Sequence, residues 1–139
     1  MPSKYLKSGR LADVLALMQV LALDKDAHRS EGGLNDELQG KPNSADCWLD
    51  VGAQHPEFFR VNRKDEHVSL VARHVTPKIE EIRALPPGFI ETLVRTAVDL
   101  HDREVTRHDR WWRVLYAVVG GLAGGLLPYF ASLLRLLAR

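Results

Sequence analysis

His101, Glu104 and His108 are the residues of this chain whose types and spacing come nearest to a chemical site. Standing at i, i+3 and i+7, they share one helical face. Imidazole nitrogens and a carboxylate oxygen suit zinc, but a structural zinc site takes a fourth ligand converging from elsewhere in the fold. Asp102, Arg103, Asp109 and Arg110 flank the three, so a solvated, salt-bridged helix face explains them equally well. No metal or other cofactor is expected. Cys47 is the single cysteine and lies between Asp46 and Trp48 with no base at a defined spacing, the setting of an inert, half-buried thiol. Glu80 and Glu81 are adjacent and would diverge on a helix, and there is no HExxH, GxSxG or dinucleotide-binding fingerprint. An enzyme is not expected. His55, His67 and His74 show no paired spacing; as surface or half-buried histidines they titrate near neutral pH, which leaves room for a sensing role.

Gly120, Gly121, Gly124 and Gly125 lack the Lys-Ser/Thr end and the polar setting of a phosphate loop. In an apolar helix they form two overlapping GxxxG patterns, Gly120/Gly124 and Gly121/Gly125, with Ala117 extending one of them. Small residues at this spacing let helix backbones approach and associate. The run that contains them, Val114 to Leu134, has 21 residues and no charge. As a helix it would be about 31 Å long, against about 30 Å for a hydrocarbon core. Trp111, Trp112 and Tyr116 sit at one end, with Tyr129 and Phe130 near the other, as interfacial rings do. A small domain could hardly surround a helix that is apolar on every face, so a transmembrane helix is expected.

The first ten residues are polar, and Asp13 and Gln19 interrupt the apolar stretch that follows, so no cleavable signal is read. The pattern is that of a tail-anchored protein. Arg95, Arg103, Arg107, Arg110 and Arg113 precede the span, while Arg135 and Arg139 follow it. The positive-inside rule then places the N-terminal domain in the cytoplasm, below an inner membrane crossed once. The lone cysteine suits that reducing compartment.

Earlier in the chain, the spacing of Leu11, Val14, Leu15, Met18, Leu21 and Ala22 predicts an amphipathic helix over residues 3–24, broken by Ser30, Gly32 and Gly33. Leu34 and Leu38 lie one turn apart in a short second helix that Gly40 and Pro42 end. Asn43 or Ser44 can cap a third helix burying Ala45, Trp48, Leu49 and Gly52 and closing at His55-Pro56. Phe58–Asn62 reads as a strand, residues 63–66 as a polar turn and His67–Val75 as a second strand, with Val68, Leu70 and Ala72 opposite Ser69 and Arg73. Three helices followed by a hairpin is the order of a winged helix-turn-helix. The stretch WLDVGAQHPEFFRVNRKDEHVSLVARHV resembles the third helix and wing of that superfamily. The chain also resembles a group of uncharacterised bacterial proteins that join such a domain to a C-terminal hydrophobic segment. That resemblance implies an architecture and no activity.

Thr76-Pro77 would start a further short helix ending at Leu85, and Pro86-Pro87-Gly88 marks a boundary. Beyond it Ile90, Leu93, Ala97 and Leu100 repeat as in a short coiled-coil seam, or as a stripe packing back on the domain. With no breaker between Gly88 and Gly120, a stalk helix should run straight into the span. The expected fold class is α+β, mainly helical. Its parts are a winged helix over 1–86, a stalk over 87–113, the transmembrane helix over 114–134 and a short tail over 135–139.

The 139 residues carry 19 Lys+Arg and 18 Asp+Glu, which excludes a strongly basic nucleic-acid coater and an acidic tail protein. Residues 1–86 hold 12 basic and 13 acidic side chains. The third helix and its approach read SADCWLDVGAQH, with Asp46 and Asp50 and no cation. The wing offers Arg60, Arg63 and Lys64, beside Asp65 and Glu66. A DNA reader needs Arg, Lys, Asn or Gln at base edges and cations on phosphates, so a nucleic acid is a disfavoured partner. The expectation is a membrane-anchored interaction or sensing module that meets an unidentified protein through Asp46, Asp50, Arg60, Arg63 and Lys64. It would contact membrane lipid and self-associate through Leu93, Ala97, Ala117 and the four glycines. The alternatives are a membrane-tethered transcriptional regulator and a small effector that oligomerises and perturbs the bilayer.

Overall fold

The computed structural model describes residues 4–25, 28–75 and 85–137, with side chains for all of these except Val75 and residues 120–137. The fold is α+β and mainly helical, and the chain divides into two compact units, Met1–Glu104 and Val105–Arg139.

In the first unit, a 3-10 turn over Lys4–Leu6 precedes helix α1, Arg10–Leu23. The sequence pattern implied one helix from residue 3, but Gly9 adopts φ 76°, a left-handed conformation that separates the two pieces. Val14, Leu17, Met18 and Leu21 recur at helical spacing on α1 and are fully buried. The other end of α1 is closed by Arg73, whose guanidinium donates to the backbone oxygens of Leu21 at 2.9 Å and Asp24 at 2.6 Å.

Strand β1, His28–Ser30, leads directly into helix α2, Glu31–Glu37. Ser30 is the α2 N-cap, its hydroxyl accepting from the Gly33 amide at 3.2 Å, so Ser30, Gly32 and Gly33 open a helix. Helix α3 is Trp48–Gln54, four residues later than a cap at Asn43 would start it and three later than one at Ser44. The amides of those two donate to Asp13 of α1, at 3.1 and 2.7 Å, which ties the approach to α3 onto α1. Glu31 caps α3 instead, accepting from the amides of Trp48 at 3.0 Å and Leu49 at 2.9 Å.

Strands β2, Phe59–Asn62, and β3, His67–Leu70, form the expected hairpin, and β1 adds to its other side. The sheet is antiparallel with order β1-β3-β2. The second strand stops at Leu70; residues expected to continue it form helix α4, Val71–Val75. The Val71 amide donates to the Phe58 carbonyl at 2.9 Å, and the helical turn sends Arg73 inward to α1, where an extended chain would have left it on a strand face. Helix α3 packs on the sheet at Gly52, where a Cβ would meet side-chain atoms of Val61 at 3.0 Å and Val68 at 3.1 Å. The helix expected over Thr76–Leu85 lies outside the described residues up to 84; Leu85 is buried in the core and not helical.

Helix α5 runs from Pro87 to Leu137, in agreement with an unbroken helix past Gly120. Within the first unit Ala97 is fully buried, and Ile90, Leu93 and Leu100 pack half-buried against the core. Of the two readings of this stripe, packing on its own domain is the one observed. It is therefore occupied, and Leu93 and Ala97 do not present a free seam to a second copy.

In the second unit, Trp111, Trp112, Val114, Leu115, Tyr116, Val118 and Val119 are all 47% to 70% exposed. Among the described residues no helix is long and apolar enough to cross a membrane. The expected span over 114–134 falls, from residue 120 onward, outside the described side chains, as do Gly120, Gly121, Gly124 and Gly125; Ala117 is exposed.

Candidate functional site

Sheet register brings together residues that are far apart in sequence. His28, Ser69 and Arg60 lie in one row across the three strands, and Ser30, His67 and Asn62 in another. Side chains alternate along a strand, so these rows share the face opposite Phe59, Val68 and Leu70, which are buried in the core. The rings of His28 and His67 meet edge to face with centroids 5.0 Å apart. His74 Nε2 lies 2.9 Å from Ser69 Oγ, and that hydroxyl donates to the Arg60 carbonyl at 3.2 Å. Arg63, Lys64 and Asp65 of the turn complete the wall of a groove of about 750 Å³ over this face. Asn62 orders the turn, its amide nitrogen donating to Asp65 at 2.6 Å and its oxygen accepting from the Lys64 amide at 3.1 Å.

The five residues expected to form a partner surface are thus partly assembled. Arg60, Arg63 and Lys64 line the groove, and Arg63 also reaches Asp50 on α3 at 3.2 Å. Asp46 is exposed just before α3 and does not line the groove. Sequence reasoning missed His28, because β1 is three residues long and has no alternating pattern. His67 and His74 carried a faint signal in their composition, but only the sheet places them beside Arg60.

A second polar cluster is mostly buried. His55 is fully buried, its Nδ1 3.1 Å from Glu57, which also accepts hydrogen bonds from Lys4 Nζ at 2.7 and 2.8 Å and from the Tyr5 hydroxyl. Tyr5 packs edge-on against His55 with centroids 4.7 Å apart, and against His101 at 6.4 Å. Burial alone would raise the Glu57 carboxyl, but the hydrogen bonds from Lys4, Tyr5 and His55 outweigh it and hold it at about 2. Burial pushes the Tyr5 phenol up, helped by the Glu57 charge, and pushes the His55 imidazole down against the pull of Glu57. The cluster ties the N-terminal turn to the α3–β2 connection and to α5. It is a clasp, since its acid, phenol and imidazole are engaged with one another.

The remaining sequence candidates disperse. Burial, with Asp50 nearby, raises the Cys47 thiol, the opposite of what a nucleophile needs. His101 turns toward Tyr5, while His108 accepts from Trp112 Nε1 at 2.8 Å. Among the described residues no group of three His, Cys, Asp or Glu side chains is disposed to hold a metal ion. Comparison with known proteins finds no family model, no curated protein and no solved structure that matches this chain.

Proposed function

We propose that the chain is a winged-helix protein-interaction module held at a membrane by the apolar end of α5. Its order of elements, helix–strand–helix–helix–strand–strand with β3 central, supports the winged-helix reading. The observation that carries the function is the Arg63–Asp50 pair. In a nucleic-acid reader of this architecture α3 would supply cations and hydrogen-bond donors to the groove of a duplex. Here α3 carries Asp50 and no cation, and Asp50 takes up one of the three wing cations. A polyphosphate would meet a carboxylate where it needs a guanidinium, whereas a protein partner of mixed charge meets complementary groups.

The collar from Trp111 to Val119 supports the anchor. Its exposed apolar side chains surround the helix, and such a surface is covered by lipid or by another protein. With five arginines ahead of the span, the module faces the cytoplasm.

Fractionation of cells separates the possibilities. The full chain sediments with membranes and resists extraction by salt, while a chain ending at Glu104 stays in the supernatant and passes immobilised duplex DNA unretained at low salt. Salt-sensitive retention on the duplex would support a tethered transcriptional regulator instead, and a full chain found in the supernatant would remove the anchor.

A further inference from the structure

We propose that the groove over the outer sheet face is a docking site for an acidic peptide segment. The proposal rests on the interaction-module reading and names the chemistry of the partner.

Arg60, Arg63 and Lys64 give the groove fixed positive charge, and His28, His67 and His74 approach it from three different elements. Among the described residues lining it, Asp65 alone is acidic, and Glu66 follows it in the turn. Asp65 is engaged by Asn62, and Arg63 by Asp50; Arg60 and Lys64 have no carboxylate partner among the described residues. Two uncommitted cations on a polar, solvent-facing sheet call for carboxylates from outside, and guanidinium–carboxylate pairing supplies direction as well as charge.

A volume of about 750 Å³ accommodates a short peptide stretch. A nucleic acid reaching past the groove toward α3 would meet Asp50 beside Arg63, a repulsive cost that a few carboxylates confined to the groove do not meet. Among the fixed charges of the hairpin, Arg60, Arg63 and Lys64 outnumber Asp65 and Glu66, so the groove recruits negative charge.

The test uses the full chain in nonionic detergent micelles, with fluorescence anisotropy of labelled hexaglutamate and, separately, of a labelled short DNA duplex. Hexaglutamate should bind the native chain, and Arg60→Gln should weaken that binding by about tenfold. Arg60 is exposed, and an unchanged melting temperature verifies that the variant folds. Hexaglutamate binding that is absent, or indifferent to Arg60→Gln, overturns the groove but leaves the interaction-module reading standing. A duplex bound more tightly than the peptide overturns both.

Discussion

His55 and Glu57, two residues apart, both resist protonation in the folded state, and both make that state sensitive to acid. His55 is held below its ordinary value of 6.5 by burial, with Lys4 and Arg10 adding to the effect. On acidification the unfolded chain therefore binds a proton before the folded one does, and stability falls as pH drops through about 6.5. Glu57 is depressed from 4.5 to about 2, so its contribution is complete above 4.5 and is lost as pH falls toward 2. The urea midpoint should decline in two stages below neutrality. His55→Gln flattens the upper stage, and Glu57→Gln removes the lower one while reducing stability at neutral pH. A midpoint that stays level between about pH 7 and pH 5 would show that His55 is not held neutral by its surroundings.

At the scale of elements, α1 and α3 each borrow an end from another part of the chain. Seven residues cannot hold a helix by propensity, so α3 depends on packing and on the Glu31 carboxylate at its first amides. Glu31→Ala should cost about 1–2 kcal/mol in chemical denaturation, the range of a strong N-cap, with Glu31→Gln retaining part of it. The α5 stripe offers a second case. Leu93→Asp would test an intermolecular seam if the stripe were free; because Leu93 packs on the core, the substitution should instead destabilise the first unit by about 2 kcal/mol. The measurement is the melting of the chain ending at Glu104, which lacks the apolar segment. An unchanged melting temperature would return the stripe to the list of association surfaces.

For the whole molecule, the loss of the stripe as a seam concentrates any self-association in the apolar segment. Gly121→Leu with Gly125→Leu keeps the segment apolar while blocking close backbone approach, so crosslinked oligomers in membranes should diminish without loss of membrane association. Oligomers unaffected by the pair would make the glycines mere composition of the segment. Neighbouring domains brought together this way would present several sheet grooves to one partner, and avidity would exceed the affinity of a single groove.

The helical periodicity of α1, the Phe59–Leu70 hairpin and the continuity of α5 were legible in the sequence because they depend on local spacing: which residues recur every turn, which alternate, and where no breaker intervenes. The acidic character of α3 was legible for the same reason. What only the tertiary structure decided depends on partners distant along the chain. Strand β1 exists because β3 offers it hydrogen bonds, and three residues have no periodicity of their own. The approach to α3 is tied to α1 by Asp13, some thirty residues earlier, and the first amides of α3 at Trp48 and Leu49 are met by Glu31. The run after Leu70 turns into a helix so that Arg73 can close α1, overriding the β-branched pattern that pointed to a strand. The groove belongs to this second class. Its cations lie in one hairpin and were visible, but His28 joins them only through the sheet, since a side chain's neighbours across strands are set by register and not by sequence distance.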